Sequence, residues 1–568
     1  MKKLSHGQAY WLLLIVCCLT LLPFLGLTDY HTKGEPRESV VSYSMLTSGD
    51  WVLPRNNGGE MAYKPPFFHW CIAAAASVMG GVTEGVSRLP SAVALIAMTL
   101  AGFRFFARRR GVRLALVASL VSFTSFELHR AGTNCRVDMV LTAATVGALF
   151  ALYRWWEQGR RGVLPLVTAI LLMGIGTLTK GPVGTLIPCL VMGVFLLLRG
   201  EPFFRSFFLL FGIGLLSLIP YAAWFLLAWQ HGGQEFLDLI YDENIGRMTG
   251  TMSYKVHVEP WFYNFLMMLP GLLMWTLLGL IMLFFVRWRR PAWAPRQWWQ
   301  GLCGWVRTAD AVDLFSLTAA VIILVFYSIP ECKRSVYIMP AYPFIAWFIA
   351  RLLVRLDDSR HRALLLFGHI LSAVALLIVV LLAVLQIGPL RASVKALADV
   401  PAVTALTSLA WWQWLLLALT AAAALWWFTA RREGRPLLRA TVLILALYVA
   451  VDGVFSPAIL NPSKSLKTVS AEIDRIAPAS EAPLYEFIEK SLRAKGDPPH
   501  FFEVNFYLGN RIGNFYRERP DHGFLLISSD DAEQCLPSFK KEGYRFNLRY
   551  ETDKRHLQVY AFTRRHEL

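Results

Sequence analysis

Long apolar runs, separated by short charged segments, recur from the start of the chain to about residue 455. A helix that crosses a bilayer needs roughly 20 apolar residues, whereas a transmembrane β-barrel shows shorter segments of alternating hydrophobicity. The pattern predicts a polytopic α-helical membrane protein with about 13 spans. The predicted spans are 10–28, 86–107, 112–128, 138–156, 163–179, 182–198, 206–229, 261–286, 311–329, 336–353, 363–387, 409–429 and 437–454.

Two segments of the first outer loop, 29–85, are predicted to be short helices. Residues 67–79 are apolar, but at about 13 residues they are too short to cross the bilayer. They are predicted to form an interfacial or re-entrant helix, and residues 36–47 a second short helix. The first apolar run, 11–27, resembles a signal peptide, but no Ala-x-Ala site follows it, which predicts an uncleaved first span.

Arginine clusters occupy every second loop between the predicted spans. The positive-inside rule places such clusters in the cytoplasm, which makes the N-terminus cytoplasmic and, after an odd number of spans, the C-terminus extracytoplasmic. Hydropathy and charge therefore agree on a multi-pass protein of the inner (plasma) membrane. The clusters lie at 108–113, 160–161, 199–205, 287–290, 351–362 and 431–439.

The composition changes after Phe455, where residues 456–568 become polar and rich in charge. The segments at 523–529 and 556–563 are typical of strands. The pattern predicts a transmembrane domain at 1–455 and a small α/β domain at 456–568, which is periplasmic if the cell has an outer membrane.

The net charge of +17 does not indicate a nucleic-acid-binding protein. The Lys and Arg residues lie in clusters between spans, as the positive-inside rule requires, rather than on one face. The 8 cysteines contain no Cys-x-x-Cys pair, so the sequence predicts neither a disulfide framework nor a cysteine metal site.

Acidic and basic residues occur together in four predicted outer loops: 29–66, 129–138, 230–260 and 331–337. Charge beside lipid is costly and is retained mainly where it has a function. A carboxylate can take a proton from an attacking group, and Lys or Arg can neutralise a departing phosphate. The sequence therefore predicts a membrane enzyme whose site is built from several loops on one face.

Ordered motifs in these loops resemble a known family. Residues 34–38 read Gly-Glu-Pro-Arg-Glu, residues 45–51 read Met-Leu-Thr-Ser-Gly-Asp-Trp, and residues 64–66 read Lys-Pro-Pro. They resemble the first outer loop of the aminoarabinose lipid A transferases, within the polyprenyl-phosphate-dependent glycosyltransferases (GT-C fold) that include protein O-mannosyltransferases. Further matches are Arg136-Val137-Asp138, Thr179-Lys180-Gly181, His257-Val258-Glu259-Pro260-Trp261, and Lys333-Arg334 with Tyr337 and Pro340.

The resemblance implies many spans, short helices in the first outer loop and an outer C-terminal domain. It also implies a sugar donor on polyprenyl (undecaprenyl) phosphate and inversion at the anomeric carbon. Two positions depart from the family pattern. Its first acid is replaced by Gly34, which leaves Glu35 as the candidate, and the acid before the lysine is replaced by Tyr63. In the family pattern this second acid would share a metal contact with His257. In this chain the acid is absent, so that contact lacks one of its two ligands.

The candidate residues follow from these motifs and from the outer loops that carry them. Glu35 and Asp138 are the predicted catalytic carboxylates, either of which could orient or deprotonate the acceptor. No cofactor is firmly predicted, and a divalent metal, with His257 as a weak candidate ligand, stays open. Binding of the donor phosphate is predicted for Arg37, Lys64, Arg247, Lys333, Arg334 and Tyr337. Further site candidates are Glu38, Tyr63 and His257.

Each candidate also has a structural alternative. Glu35 could interact with the dipole of the helix that follows it, Asp138 could cap the fourth span, and Lys64 could reach a lipid headgroup. Tyr337 could belong to an aromatic belt. Lys333-Arg334 could be an interfacial pair, and His257 could be purely structural.

The predicted function is transfer of a sugar from a polyprenyl phosphate to lipid A or a related glycolipid on the outer face. A secreted protein, as in the O-mannosyltransferases, is the alternative acceptor, and a polysaccharide such as arabinan or O-antigen is a third. A lipid-linked sugar flippase or transporter is the alternative class. Transporters place ionisable residues mid-span in repeated halves, whereas here the charges lie in loops and no repeat is visible. A receptor would not need the acids of the first loop.

Overall fold

The computed structural model describes residues 4–62, 64–242, 258–286, 295–387, 400–429, 435–487 and 500–565. It is a bundle of membrane helices followed by a small sheet domain. The helices of the first half are α1 His6–Leu21, α2 Gly34–Ser48, α3 Phe67–Met79, α4 Glu84–Arg110, α5 Val112–Phe123, α6 Phe126–Gly132, α7 Val137–Glu157, α8 Val163–Lys180, α9 Val183–Leu198 and α10 Phe203–Tyr241. They are followed by α11 Tyr263–Gly271, α12 Leu273–Leu283, α13 Pro295–Thr308, α14 Ala311–Ser328, α15 Tyr342–Asp358, α16 Arg362–Leu385, α17 Pro401–Leu406, α18 Trp411–Thr429 and α19 Pro436–Ala450.

The predicted polytopic helical fold is confirmed. Within the described residues, 10 helices are long and apolar enough to cross a membrane, or 12 if each of two bent pairs counts as one span. These correspond to twelve of the predicted spans. The remaining one, 182–198, forms α9, whose 16 residues make it shorter than a usual span. The short helices predicted at 36–47 and 67–79 are present as α2 and α3.

Two predicted spans are bent rather than straight. The α5–α6 pair bends by 67° and the α11–α12 pair by 97°. The second bend follows Pro270, which has no N–H to donate to the helix and therefore favours a break.

The helices α4 and α7 run side by side in the same direction. Near their first residues, the hydroxyl of Ser91 donates to the carbonyl of Arg136 over 3.2 Å. Near their last residues, Arg109 Nε donates to Glu157 Oε1 over 2.9 Å. The arginine clusters at 108–113 and 160–161 therefore lie at the opposite end of these helices from α2 and α3, as the predicted topology requires.

The C-terminal sheet has five strands in the order β2-β1-β3-β5-β4. β1 is parallel to β2 and β3, whereas β5 is antiparallel to β3 and β4. The strands predicted at 523–529 and 556–563 are present as β3 and β5. The elements are α20 Ser456–Lys464, α21 Lys467–Ile476, β1 Leu484–Glu486, α22 Phe502–Tyr507, β2 Ile512–Asn514, α23 Phe515–Glu518, β3 His522–Ser528, α24 Ser529–Lys541, β4 Tyr544–Thr552 and β5 Leu557–Arg564.

Two apolar clusters cover the two faces of this sheet. Ile473 of α21 packs with Leu526 on one face, and Phe539 of α24 packs with Leu525 on the other. Neighbouring residues of β3 thus point to opposite faces, as strand geometry requires. The result is a small three-layer α/β domain.

The C-terminal domain binds the first outer loop through a buried carboxylate. Glu486 at the end of β1 is buried and accepts hydrogen bonds from Asn57 Nδ2 at 3.2 Å, from His500 Nδ1 at 2.9 Å and from the Phe501 amide at 3.1 Å. Asn57 Oδ1 in turn accepts a hydrogen bond from Asn505 Nδ2 of α22 at 2.5 Å. This network joins segments more than 400 residues apart in sequence.

We expect Asn57→Ala to loosen this attachment. The change removes a hydrogen bond to a charged group, which is worth roughly 1.5–3 kcal/mol. The variant should therefore have a lower thermal midpoint, and its C-terminal domain should be cut faster by trypsin. Asn547→Ala, which alters an exposed residue of β4, is the matched control. Equal midpoints and cleavage rates for Asn57→Ala and the wild type would contradict the prediction.

Candidate active site

Helix α2 places two acids on one buried face. Glu35 lies in the first turn and Glu38 follows three residues later, a spacing that puts both on the same side of a helix. Pro36 fits this first turn because a backbone N–H is not needed there. Glu35 is 0% exposed and Glu38 3% exposed, so each needs polar partners inside the protein.

Glu35 is fully occupied by structural partners. Its Oε1 accepts from Arg88 Nε at 2.8 Å and from the Cys135 amide at 3.0 Å, and its Oε2 lies 3.3 Å from Arg88 Nη2. Burial alone would raise the pKa of Glu35, but the Arg88 guanidinium outweighs it and lowers this pKa. Glu35 therefore links α2 to α4 and to the segment before α7, and its oxygens face protein groups rather than an open site.

Glu38 lies in a cluster of cations. It pairs with Lys64, with Arg37 Nη2 at 3.0 Å, and with the Nε2–H of His69, which donates over 2.8 Å. Burial would raise the pKa of Glu38, but Lys64, Arg37 and His69 together hold it well below its usual range. Glu38 is therefore ionised at neutral pH and fixes the position of Lys64.

Asp138 begins a second cluster beside the first. It lies in the first turn of α7 at 8% exposure and pairs with Lys180, the last residue of α8. The Lys180 ammonium lies 4.0 Å from the centre of the Tyr337 ring, a cation–π contact. Asp138 is also close enough to Lys64 for its charge to raise the pKa of that lysine. The α7 helix begins without a side-chain cap, so Asp138 has a charge partner and not a capping role.

The predicted cations of the fourth loop have different surroundings. Lys333 is buried and its Nζ donates to the Glu259 carbonyl at 2.8 Å. Arg334 lies close enough to Arg136 to contribute to the lowering of the Arg136 pKa, for which burial is the main cause. Ser335, next in sequence, donates to Glu127 Oε1 at 3.1 Å.

The structure thus brings together most of the predicted site. Arg37, Glu38, Lys64, Asp138 and Tyr337 surround one region at the starts of α2 and α7, with Arg334 nearby through Arg136. Lys333 binds the backbone at the edge of this region, and Glu35 lies behind it. The predicted residues Tyr63, Arg247 and His257 lie outside the described residues.

The sequence analysis assigned no site role to three contributors, although Lys180 lies in one of its matched motifs. Lys180 and Arg88 are charges at the ends of predicted spans, which is the same signal that identified the outer loops. His69 lies within the apolar segment 67–79, where a single histidine gives no sequence signal of its partner Glu38.

No metal site is evident in the part of the chain that the structure describes. No three His, Cys, Asp or Glu side chains are grouped there as metal ligands. His257 lies in the segment 243–257, outside the described residues, so the metal hypothesis stays untested.

Comparison with solved structures identifies the fold. The crystal structure of ArnT from Cupriavidus metallidurans bound to undecaprenyl phosphate matches with a TM-score of 0.69 over 97% of both chains, at 20% sequence identity. The chain has the GT-C fold. The apo structure of the same ArnT matches equally well, with a TM-score of 0.69.

Sequence comparisons give the same family type. The family described as Dolichyl-phosphate-mannose-protein mannosyltransferase matches residues 63–226. The undecaprenyl phosphate-alpha-4-amino-4-deoxy-L-arabinose arabinosyl transferase of Edwardsiella ictaluri is 27% identical over 377 residues, which cover 65% of this chain and 63% of that protein. The protein of that name from Pseudomonas aeruginosa is 29% identical, over 79% of this chain and 77% of its own length. The resemblance to GT-C glycosyltransferases is confirmed.

Proposed function

We propose that this GT-C protein transfers a sugar from a polyprenyl phosphate to a lipid acceptor, lipid A or a related glycolipid, on the outer face of the inner membrane. The observation that carries the proposal is the joined cluster of Glu38, Lys64, Asp138 and Lys180 at one end of the membrane helices. The named transferases among the relatives support the reaction type. The arginine clusters at the opposite helix ends support an outer position for the site.

Asp138 is the better candidate for the base. It is more exposed than Glu35, whose two oxygens are held by Arg88 and the Cys135 amide. In the proposed step, Asp138 accepts the proton of the attacking acceptor oxygen, which forms a bond to the anomeric carbon as the bond to the phosphate oxygen breaks. Attack opposite the leaving group inverts the anomeric carbon.

Cations at the site stabilise the departing polyprenyl phosphate. Lys64 and Lys180 each face one of the two carboxylates, and Arg37 pairs with Glu38. From its place in the cluster, each of these cations can contact the phosphate as well as its carboxylate. The cations are already in position before the reaction begins, which is what electrostatic catalysis requires. The lipid tail would lie against the apolar helices beside the cluster.

A transfer assay tests the proposal. Purified full-length protein in liposomes is given a polyprenyl-phosphate donor with a labelled sugar and either lipid A or a Ser/Thr-rich peptide. We expect label on lipid A, with release of polyprenyl phosphate. Label on the peptide would support instead the protein acceptor that the mannosyltransferase family match favours. Donor that moves across the bilayer without transfer would indicate the flippase class and overturn the proposal.

Binding of the polyprenyl-phosphate donor should weaken as the pH rises through about 8. Burial, helped by the Arg37 charge, lowers the pKa of Lys64 to about 8, and the attraction of Glu38 and Asp138 only partly opposes this. Above this pH the lysine loses its proton, and with it the charge that would hold phosphate. The kcat/KM for the donor, which reports the free enzyme, should therefore fall on the alkaline side.

Lys64→Arg provides the control for this pH dependence. A guanidinium stays protonated in this range, so the alkaline fall should move to higher pH even if the absolute rate changes. The same fall in both enzymes would contradict the assignment of Lys64 to the donor phosphate.

A further inference from the structure

A cavity of about 260 Å³ lies apart from the Glu38–Asp138 cluster, behind the Glu35–Arg88 ion pair. Residues of the first outer loop, of α6, and of the end of α19 with the segment that follows it form its walls. Its volume is near the lower end of small-molecule sites, which begin at roughly 300 Å³, so it suits one small polar group. The aromatic rings of Phe24, Phe126 and Tyr448 line part of it.

The charges around this cavity are already paired. Arg88 is neutralised by Glu35, and Arg130 Nη2 donates to Glu127 Oε1 at 2.6 Å. The Nε2–H of His129 donates to Asp452 at 2.6 Å. Burial lowers the pKa of His31, so this fourth basic group is neutral at pH 7. Among the described residues that line the cavity, no cation is left free for a phosphate, which favours a neutral polar ligand.

Three polar atoms of the lining have no partner among the described residues. They are Thr32 Oγ1, His129 Nδ1 and Arg130 Nε. The imidazole of His129 is 2% exposed, and its Nε2 is occupied by Asp452, so Nδ1 is the ring nitrogen that has no partner among the described residues. A buried polar atom left unpaired costs free energy, so this set of donors and acceptors matches a ligand that supplies both.

The helix around Asp452 is also irregular. Residues Val451–Phe455 form a π-helical turn between α19 and α20, and such turns occur frequently at functional sites. The ring of Tyr448, one turn earlier, lies 4.0 Å from the His129 ring centre. The imidazole is therefore held by a ring contact and by the carboxylate together.

We propose that this cavity binds a neutral sugar, whose hydroxyls form hydrogen bonds with His129 Nδ1 and Thr32 Oγ1 and accept from Arg130 Nε. Hydroxyl groups are both donors and acceptors, which the unpaired atoms require, and the C–H face of a sugar ring can pack on the aromatic rings. The site is separate from the proposed catalytic cluster, and its occupation does not depend on the transfer reaction.

Ligand-observed saturation-transfer NMR tests this on the full-length protein in a detergent without sugar. The probes are a panel of methyl hexosides and pentosides, octyl glucoside as a sugar on a lipid chain, and inorganic phosphate. We expect methyl or octyl glycosides to bind and phosphate neither to bind nor to compete. Tighter binding of octyl than of methyl glucoside would identify a lipid-borne sugar, and equal binding a free one.

Two variants locate the binding. His129→Phe removes the unpaired ring nitrogen, and Thr32→Val removes a hydroxyl that has no partner among the described residues and therefore should not reduce stability. Each should weaken glycoside binding by about tenfold, in line with the loss of one buried hydrogen bond. His369→Phe, which changes an exposed histidine on α16, and Asp138→Asn should leave it unchanged.

Three results would overturn the proposal. They are absence of glycoside binding to the wild type, competition by phosphate, and binding that neither His129→Phe nor Thr32→Val weakens. Because the measurement follows binding alone, a failed transfer assay and a failed sugar site are distinguishable.

Discussion

Asp138→Asn should reduce the turnover of sugar transfer by about 10²–10⁴-fold, the usual contribution of a positioned general base. An asparagine has nearly the same shape but cannot take the proton from the attacking oxygen. The variant also loses the charge that holds Lys180, so the KM for the donor is expected to change as well. Steady-state transfer from a labelled polyprenyl-phosphate sugar, with single-turnover rates at saturating donor, separates the two effects.

The matched control for this change is Asp313→Asn. Asp313 also lies at the start of a membrane helix, where it pairs with Arg351 and accepts from Trp347 Nε1 at 2.9 Å, but it belongs to α14 and not to the candidate site. It should keep turnover within a few-fold of the wild type. Full activity of a folded Asp138→Asn protein would refute the assignment of the base.

Arg88→Met should destabilise the protein by about 3–5 kcal/mol, the usual cost of removing one partner of a buried ion pair. The substitution leaves the carboxylate of Glu35 uncompensated in a site with no solvent exposure. It also removes the donor that Arg88 Nη1 offers to the Leu25 carbonyl at 2.8 Å. The thermal midpoint followed by tryptophan fluorescence should fall by many degrees.

A double variant isolates the ion pair. Glu35→Leu with Arg88→Met removes both charges, and it should recover a large part of the stability that Arg88→Met loses. Arg110→Met breaks the half-exposed pair with Asp310 and should cost about 1 kcal/mol or less. A double variant no more stable than Arg88→Met would show that Glu35 does not depend on Arg88 for its charge.

These two predictions divide the roles that the sequence had left open between Glu35 and Asp138. The sequence predicted both as catalytic because both are acids in matching motifs. It could not show that Glu35 is already paired with Arg88, which lies 53 residues away in the sequence. An ion pair between distant segments leaves no periodic pattern, and a charge at the start of a span is also what an interfacial residue would carry.

The helices were predictable for a physical reason. The length and apolarity of a membrane helix are set by the bilayer, so run length alone predicted α3 and most spans. The bend of 67° between α5 and α6 was not predicted. It occurs at Thr124 and Ser125, whose hydroxyls bond to carbonyls one turn earlier, and such residues are tolerated within straight helices too.

The link between the tail and the first loop has a practical consequence for dissecting the protein. Asn461 of α20 binds the Leu27 carbonyl and the Asp29 amide, and Lys467 of α21 pairs with Asp29 and Glu84. Deleting residues 456–568 would therefore remove contacts that hold the loop carrying Glu38 and Lys64. If such a shortened polypeptide is inactive, the cause would be disorder of this loop. Replacing residues 456–568 by the C-terminal domain of a relative is therefore the more informative experiment.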